Sequence, residues 1–327
     1  MRWTAKKVLV TGAGGFIGSH LSERLVALGA HTRALVHYNA LGTWGWLDGS
    51  HVRNEMEVVA GDICDRDSVV QAMRGVEIVL HLAALIGIPY SYHAPASYVR
   101  TNVEGTLNVL QVARETGVER LVHTSTSEVY GTARYVPIDE EHPLQGQSPY
   151  SATKIAADKL TEAFHLSFGL PITIIRPFNT YGPRQSARAI IPTIITQALT
   201  QPAVRLGNLD PLRDLTYVED TVEGFIRIVE EPRALGHVIN VGSGKEISIG
   251  DLATTILAVI GSDVPIVHDP PRVRPSGSEV ARLCANTGKA KELLGWQPRN
   301  NLRQGLAKTI EWIEQQLERY RPDAYTI

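Results

Sequence analysis

The chain has 327 residues, 43% of them hydrophobic, which suits one large globular domain or two. Its 32 basic and 34 acidic residues give a formal net charge of -2, which argues against a nucleic-acid partner or an anionic membrane surface. Cys64 and Cys284 lack metal-ligand spacing and are too few for a disulfide framework, and the longest apolar stretch, near 76–88, is too short to span a bilayer. We therefore expect a soluble, cytoplasmic protein without a metal, whose partners are small molecules.

The first elements along the chain are a strand, a glycine turn and a helix. Residues 7–10 form a short run rich in β-branched side chains, and apolar residues recur at helical spacing from Ile17 onwards. Between them, Gly12, Gly15 and Gly18 would permit a tight turn, a close backbone approach to a pyrophosphate and close packing of helix on strand. We predict that this turn binds a dinucleotide, with a purely structural glycine turn as the alternative.

Strands and helices alternate over the next part of the chain. Short apolar runs predict strands at 34–36, 58–60, 78–80, 121–122 and 172–175. Helical patterns lie between several of these runs, at 67–73, 98–114 and 155–168. A late apolar run at 237–241 is typical of a strand that returns to the same sheet. This alternation predicts an α/β fold with a doubly wound parallel sheet of the Rossmann type.

The second half of the chain has a different composition. Prolines and glycines become more frequent after residue 176, and the regular patterns weaken. We therefore predict a dinucleotide-binding Rossmann domain at 1–175, with a return segment near 215–245. A smaller C-terminal substrate-binding region would comprise 176–214 and 246–327. The ligand cleft is expected between the two.

Hydroxyl groups and one carboxylate follow the strand predicted at the centre of the sheet. Thr126, Ser127 and Glu128 would lie at its carboxyl end, where open parallel sheets build their sites. Tyr150 and Lys154 are four residues apart at the start of a helical pattern, so both side chains lie on one helix face. An ammonium beside a phenol favours the phenolate, and we expect Lys154 to lower the pKa of Tyr150 and make it a base. An ordinary surface pair is the alternative.

The two helices predicted at 98–114 and 155–168 are apolar over more than one face. Excess apolar surface on neighbouring helices indicates either deep burial or a helical subunit interface. We favour the interface and predict a homodimer.

With these motifs in place, the chain resembles the extended short-chain dehydrogenase/reductase superfamily that acts on nucleotide sugars. The resemblance rests on the glycine turn, on the Tyr150 and Lys154 pair, and on further motifs along the chain. These motifs are Gly61-Asp62-Ile63, Asn102-Val103, Gly105-Thr106, Arg176-Pro177-Phe178-Asn179, Arg213-Asp214, Tyr217-Val218, Asp220 and Leu294-Gly295-Trp296. The Thr126-Ser127-Glu128 triplet is similar to that of 4,6-dehydratases of the GDP-mannose type. Segments within 38–48, 83–90 and 182–188 are similar to bacterial NDP-N-acetylglucosamine 4,6-dehydratases of the legionaminic acid type.

The resemblance implies NAD(P) as cofactor. It implies binding by Gly12, Gly15, Phe16, Ile17, Gly18, His37, Asp62, Ile63, Leu82, Ala83, Ala84, Tyr150, Lys154 and Pro177. His37 stands where a carboxylate would hold an NAD ribose, so a 2′-phosphate is tolerated, with His37 or Arg33 beside it. We therefore favour NADP over NAD.

The resemblance also implies a set of residues for the nucleotide sugar. These substrate residues are Asn179, Arg188, Arg213 and Arg274. Arginine forks suit phosphates, which supports this assignment. The alternatives are pairing of Arg213 with Asp214 or Asp220, a solvated Arg274, and an Asn179 that caps local backbone.

The implied activity is that of a nucleotide-sugar 4,6-dehydratase, a lyase that converts an NDP-hexose to its 4-keto-6-deoxy derivative. The expected substrate is UDP- or GDP-N-acetylglucosamine. Tyr150 takes the proton of the 4-hydroxyl with Lys154 as its electrostatic partner, Thr126 donates to O4, and Glu128 removes the C5 proton that the 4-ketone acidifies. Ser127 replaces an aspartate of the dTDP-glucose branch, so either Glu128, or water through Ser127, protonates the leaving C6 oxygen.

Three other functions are compatible with the sequence. UDP-glucuronate decarboxylases resemble the chain and share the Thr-Ser-Glu triplet. A nucleotide-sugar 4-epimerase is a second alternative, although it needs no carboxylate at position 128. A dinucleotide-sensing binding protein that has lost turnover is the alternative outside enzymes, and intact Tyr150, Lys154 and Glu128 argue against it.

Overall fold

The structure, a computed structural model, describes residues 3–320 and is built around a seven-stranded parallel sheet. The strands in chain order are β1 Lys7–Thr11, β2 His31–His37, β3 Glu57–Gly61, β4 Ile78–His81, β5 Arg120–Thr124, β6 Ile172–Pro177, β7 Asn179–Tyr181, β8 Val204–Leu206, β9 Leu212–Tyr217, β10 Val238–Val241, β11 Glu246–Ser248 and β12 Ile266–His268. The sheet order is β10-β6-β5-β4-β1-β2-β3, and every neighbouring pair is parallel. The predicted α/β sheet is confirmed, including the late strand, which is β10.

Helices cover both faces of this sheet. They are α1 Phe16–Ala27, α2 Arg66–Met73, α3 Ile88–His93, α4 Pro95–Tyr98, α5 Gly105–Thr116, α6 Pro149–Phe168, α7 Ile190–Thr200, α8 Val218–Glu230, α9 Ile249–Ile260, α10 Gly288–Leu294 and α11 Leu302–Gln315. Val8 and Val10 of β1 belong to an apolar cluster with α1 and α8, whereas Leu9 belongs to a cluster with α2, α5 and α6. Burial on both faces explains why this strand has a continuous apolar run.

The helix predicted at 98–114 is longer than expected and is not uniform. It begins with α4, continues through a π-helical segment at Val99–Glu104, and ends with α5, whose C-cap is Gly117 in the left-handed region. The buried side chain in the π-helical segment is Asn102. Wide turns of this kind are frequent at functional sites because they re-aim side chains within a helix.

The helix predicted at 155–168 begins six residues earlier, at the start of α6. Ser148 is its N-cap and forms a capping box with Ser151, Pro149 occupies the first turn, and Gly169 ends the helix at φ 65°. A capping serine followed by proline is a local start signal, so this beginning could be predicted from the sequence.

The region after residue 176 is more regular than its composition predicts. It contains helices α7 to α11 and two small sheets, β11-β9-β7 and β12-β8. Several of its glycines end helices, as Gly261 does after α9 and Gly295 after α10, both in the left-handed region. The glycines therefore separate helices instead of marking an irregular region. The domain bounds given above remain a prediction.

Within residues 3–320, no helix combines the length and the apolar character needed to cross a bilayer. That same part of the chain contains no group of three or more His, Cys, Asp or Glu side chains placed to hold a metal ion. Cys64 and Cys284 are free thiols.

Candidate active site

The residues predicted to hold the cofactor lie along one edge of the main sheet. They follow or end strands β1, β2, β3, β4 and β6, and comprise Gly12, Gly15, Phe16, Ile17, Gly18, His37, Asp62, Ile63, Leu82, Ala83, Ala84 and Pro177. Parallel strands place all their carboxyl ends at this edge, which is where open α/β sheets bind ligands.

The glycine turn between β1 and α1 has the shape of an anion site. Gly12 has φ 71°, and a Cβ there would come within 2.8 Å of the backbone nitrogen of Ala83. A Cβ on Gly18 would collide with the Gly12 backbone. Gly15 is the N-cap of α1 and supplies no side-chain cap, so the first N–H groups of the helix are left for a ligand. These residues fit a dinucleotide pyrophosphate.

The end of β4 is tied to the glycine turn. The Thr11 hydroxyl accepts hydrogen bonds from the backbone N–H groups of Leu82 and Ala83, both at 3.1 Å, and lies 2.8 Å from Nδ1 of His81. This arrangement fixes the backbone of two predicted cofactor residues against β1.

The end of β2 places His37 at the sheet edge and contradicts the prediction for Arg33. His37 is exposed at the last position of the strand. Arg33 lies four residues earlier, and its guanidinium donates to Glu57 at 2.8 Å and to the carbonyls of Ala72 and Arg74. The proposal that Arg33 meets a 2′-phosphate is wrong, because these three acceptors hold it away from the strand end.

The triplet predicted to be catalytic follows β5. Thr126 caps a short helical turn, and its hydroxyl accepts the N–H of Glu128 at 3.2 Å. Ser127 and Glu128 are both buried. Within residues 3–320, the Glu128 carboxylate takes part in neither a hydrogen bond nor an ion pair. Burial raises the pKa of Tyr150, and the Glu128 charge raises it further; burial lowers the pKa of Arg213, and the Glu128 charge opposes that change. Glu128 is therefore near enough to influence both the predicted base and a predicted phosphate ligand.

Tyr150 and Lys154 share one end of α6, as predicted, but their ionisation differs from the prediction. The Lys154 ammonium donates to the Thr124 carbonyl at 2.6 Å, and burial lowers its pKa to about 8. Burial also raises the pKa of Tyr150; a hydrogen bond with Thr126 lowers it, and Glu128 raises it further. The pKa of Tyr150 is therefore raised and not lowered as predicted, because burial outweighs the groups that favour the phenolate.

The two predicted phosphate-binding arginines converge on a residue that the sequence did not reveal. Arg213 lies 3.2 Å and Arg274 lies 3.6 Å from Glu279. The alternative pairing of Arg213 with Asp214 or Asp220 is wrong, because those carboxylates accept backbone N–H groups of other segments. Arg274 shares this carboxylate but is 31% exposed, so its charge is also partly solvated.

Asn179 and Arg188 line other parts of the same edge. The Asn179 Oδ1 is buried and has no hydrogen-bond partner within the described chain, so it caps no backbone group. An unpaired buried acceptor is unusual and suits a ligand that can donate. Arg188 lies close to Gly87, because a Cβ built on Gly87 would be 3.5 Å from Nη1 of Arg188. Burial raises the pKa of Tyr98, and the nearby Arg188 charge lowers it.

Asn102 is a further residue whose role sequence reasoning missed. Its Oδ1 accepts the Leu85 N–H at 2.8 Å, and its Nδ2 donates to the Leu85 carbonyl at 2.9 Å and to Thr153 at 3.1 Å. It thus ties the segment after β4 to α6. A buried amide inside an apolar helix was the available signal.

A cavity of about 680 Å³ lies beside α6 but is not this site. Its walls come from α6, β6, β10 and the segment 140–144, and none of the predicted catalytic residues lines it.

Comparison with known proteins places the chain in a family. A family model described as GDP-mannose 4,6 dehydratase matches residues 9–309. The chain belongs to the GDP-mannose 4,6 dehydratase family. This confirms the predicted extended short-chain dehydrogenase/reductase fold, and it does not test the legionaminic acid type of substrate.

Similar proteins of the GDP-mannose 4,6 dehydratase family catalyse different reactions. A UDP-glucose 4-epimerase of Mycolicibacterium smegmatis is 35% identical over 314 residues, covering 94% of this chain and 98% of that protein. A UDP-N-acetyl-alpha-D-glucosaminuronate decarboxylase of Bacillus cytotoxicus is 33% identical over 321 residues, covering 95% and 98%. The solved dTDP-glucose 4,6-dehydratase DesIV of Streptomyces venezuelae, with NAD bound, has a TM-score of 0.88 and 30% identity, covering 96% and 99%.

The protein is therefore an enzyme of the NAD-dependent nucleotide-sugar dehydratase, epimerase and decarboxylase superfamily. Family membership does not choose among the three reactions, because relatives of similar identity carry each of them.

Proposed function

We propose that the protein is a nucleotide-sugar 4,6-dehydratase that converts UDP- or GDP-N-acetylglucosamine to the 4-keto-6-deoxy sugar. The observation that carries this proposal is Glu128, a buried residue whose charge raises the pKa of Tyr150 and whose carboxylate has no hydrogen-bond or ion-pair partner in the described chain. Because no partner engages this carboxylate, it is free to take a proton, which argues that it has a task. A dehydratase gives it one, the removal of a carbon-bound proton, whereas a 4-epimerase needs no base at this position.

The cofactor of this proposal is a nicotinamide dinucleotide bound along the sheet edge, with its pyrophosphate on the Gly12 to Gly18 turn. When bound, it supplies a hydride acceptor for C4 of the sugar and later a hydride donor for C6. Histidine at position 37, in place of a carboxylate, supports NADP over NAD. DesIV holds NAD, so both dinucleotides are the natural probes.

Tyr150 and Thr126 act first. Tyr150, as phenolate, removes the proton of the 4-hydroxyl, so that the O–H electrons form the C4 ketone as C4 is oxidised. The Thr126 hydroxyl, which already lowers the pKa of Tyr150, donates to O4. Because burial raises the pKa of Tyr150, the positive charge of Lys154 is needed to favour the phenolate.

Glu128 acts second. The C4 ketone acidifies the C5 proton, which Glu128 removes, and the C5 electrons form a double bond to C6 as the C6 oxygen leaves as water. The departing oxygen takes its proton from Glu128, or from water held by Ser127. A proton then returns to C5 as C6 is reduced. Arg213 and Arg274 hold the diphosphate once its oxygens replace Glu279, and Asn179 and Arg188 complete the substrate wall.

Mass measurement of products tests this function directly. The purified protein is incubated with UDP- and GDP-N-acetylglucosamine, UDP-glucose and UDP-glucuronate, with NAD or NADP in catalytic amounts. We expect loss of one water from an N-acetylglucosamine nucleotide. Loss of carbon dioxide from UDP-glucuronate alone would identify a decarboxylase instead, and an isomer of unchanged mass would identify an epimerase. Stoichiometric consumption of dinucleotide would contradict the redox-neutral cycle.

Two substitutions separate the steps. Tyr150→Phe should stop all chemistry because oxidation at C4 comes first. Glu128→Gln should retain that oxidation, accumulate the absorbance of reduced nicotinamide and lose roughly 10²–10⁴ in dehydration rate. In deuterated water, the native enzyme should place one deuterium at C5 and Glu128→Gln almost none. Near-native dehydration and C5 exchange in Glu128→Gln would show that another residue is the base.

We also propose a homodimer joined through residues 98–114 and 155–168. Val99 in the first segment and Leu166 and Phe168 in the second are exposed apolar side chains on a single chain. A contact of the standard size class buries on the order of 1,600 Å² in total. Light scattering at micromolar concentration should give twice the chain mass, and a monomer would contradict the proposal.

A further inference from the structure

A row of buried polar side chains crosses the sheet behind Lys154, and no step proposed above uses it. Thr11, His81 and His123 face one another across β1, β4 and β5, at paired positions of the parallel register. Oγ1 of Thr11 lies 2.8 Å from Nδ1 of His81, and the rings of His81 and His123 are 5.5 Å apart. The row therefore runs from the glycine turn towards α6.

Asp158 lies at the α6 end of this row. It lies on α6 one turn after Lys154 and is fully buried. Its Oδ2 accepts the Ser125 hydroxyl at 2.7 Å and the Nε and Nη2 of Arg176 at 3.2 and 3.0 Å, and its Oδ1 lies 3.4 Å from Nε2 of His123. Arg176 of β6 and Ser125 after β5 thus fix one carboxylate oxygen beneath α6, with the His123 ring close to the other.

Among the charges around Lys154, Asp158 has a specific effect on the ionisation of the lysine. The elements packed around Lys154 carry these titratable and charged side chains: Tyr98, Tyr150, Asp158, His81, His123, Arg176 and Glu128. Lys154 and Asp158 lie one turn apart on α6, and their side chains bind the consecutive residues Thr124 and Ser125, so the two charges are neighbours. Burial lowers the pKa of Lys154, and Asp158 opposes this change. Burial also lowers the pKa of His123 to about 4, so its ring is neutral at pH 7 and adds no positive charge.

We propose that Asp158 is a positioning residue for Lys154: its carboxylate keeps the buried ammonium charged, and Ser125 and Arg176 hold that carboxylate in place. The inference rests on the proposed function, in which a charged Lys154 supports the Tyr150 phenolate. Asp158 would thereby set the upper end of the pH range in which Lys154 supports the phenolate.

Asp158→Asn tests the inference, with the titration of Lys154 as the first readout. Lysine side chains labelled with carbon-13 are followed by NMR against pH, and the Lys154 signal is identified by its loss in Lys154→Met. Removing the negative charge disfavours the ammonium, so the Lys154 titration should move down by roughly 1–3 pH units. The basic limb of the pH-rate profile should move in the same direction. An unchanged Lys154 titration would overturn the inference.

A second variant keeps the test informative if the first folds poorly. Asp158→Asn leaves Arg176 buried without a counter-charge, whereas Asp158→Asn combined with Arg176→Gln removes both charges and retains hydrogen-bonding groups of similar shape. Lys154 should still titrate below its native position in the double variant. Asp220→Asn is the matched control: this buried carboxylate accepts two backbone N–H groups from another segment, so the substitution should not move Lys154.

The two proposals can fail separately. The NMR titration needs no substrate, so it can support the role of Asp158 even if no nucleotide sugar in the panel reacts. Conversely, dehydration of a nucleotide sugar together with an unmoved Lys154 titration would overturn the role of Asp158 and leave the enzyme activity standing.

Discussion

Two groups of arginine and carboxylate in this protein differ in how completely the fold holds them. Beneath α6, Arg176 and Asp158 are 2% and 0% exposed, and two guanidinium nitrogens reach one carboxylate oxygen. At the substrate wall, Arg213 and Arg274 share Glu279 through contacts of 3.2 and 3.6 Å, with Glu279 19% exposed. The first group is dry and multiply bonded, whereas the second is wetter and more loosely joined.

We infer from this difference that the buried Arg176 and Asp158 pair supports the fold, whereas the group at Glu279 is available to a ligand. Removing one partner of a fully buried pair leaves an uncompensated charge and costs about 3–5 kcal/mol, and the cost falls as solvent gains access to the charges. In the proposed function, the partly exposed Glu279 gives way to the oxygens of a diphosphate, whereas Asp158 keeps its partners. Each substitution below tests this contrast between the two groups.

Arg176→Met should have the largest effect on folding. It leaves Asp158 buried without its main counter-charge, and we expect the free energy of unfolding to fall by about 3–5 kcal/mol in a urea titration. The neutral double variant, Asp158→Asn with Arg176→Gln, should lose less than Arg176→Met. A loss below about 1 kcal/mol for Arg176→Met would place this pair in the same class as the one at the substrate wall.

His123 next to the buried pair should make folding sensitive to acid. Burial lowers its pKa from 6.5 to about 4, so the unfolded chain binds a proton below pH 6.5 that the folded chain does not bind until about pH 4. Stability should therefore fall as pH drops through this window, by up to about 3 kcal/mol from this residue. Unfolding measured at pH 7 and pH 4.5 should show a smaller difference in His123→Gln.

An exposed histidine supplies the control for this pH effect. His51 is exposed, so His51→Gln should keep the full acid sensitivity of the native chain. His81 is also fully buried, and burial holds its pKa well below 6.5, so part of the acid sensitivity should survive in His123→Gln. Equal acid sensitivity in all three proteins would contradict the neutral, buried state of His123.

Features that depend on local sequence were predictable. Glycine spacing predicted the turn at Gly12, and the strand ends followed from the alternation of apolar runs, because both are set by neighbours within a few residues. The four-residue spacing of Tyr150 and Lys154 correctly placed them on one helix. The capping Ser148 was a readable signal that would have corrected the start of α6.

Features that depend on tertiary packing were not predictable. The direction of the Tyr150 pKa follows from burial by elements far along the chain, so two residues at helical spacing could not reveal it. Glu279 meets Arg213 across 66 residues, and no periodicity links the two. Asp158 carries no motif of its own, and its role emerges only where β5 and β6 pass under α6.

Arg213→Met should weaken binding much more than folding. Loss of a charged hydrogen-bond donor to phosphate costs about 1.5–3 kcal/mol, which corresponds to roughly 10–100-fold in the Kd for UDP or GDP measured by calorimetry. Arg282→Met is the control, since Arg282 forms an exposed pair with Glu246 and should bind nucleotide as the native chain does. Equal affinity in Arg213→Met and the native protein would remove Arg213 from the substrate site.

Glu279→Gln should have the smallest effect on folding. Arg213 also donates to the Leu212 carbonyl at 3.0 Å, and a glutamine oxygen at 279 can still accept from the guanidinium, so no donor is left unpaired. We expect the free energy of unfolding to change by no more than about 1 kcal/mol in the same urea titration. The comparison with Arg176→Met decides the matter, because both substitutions remove one charge from an arginine and carboxylate pair. A loss as large as that of Arg176→Met would mean that Glu279 is a fixed structural partner, and its arginines would then not be available to a diphosphate.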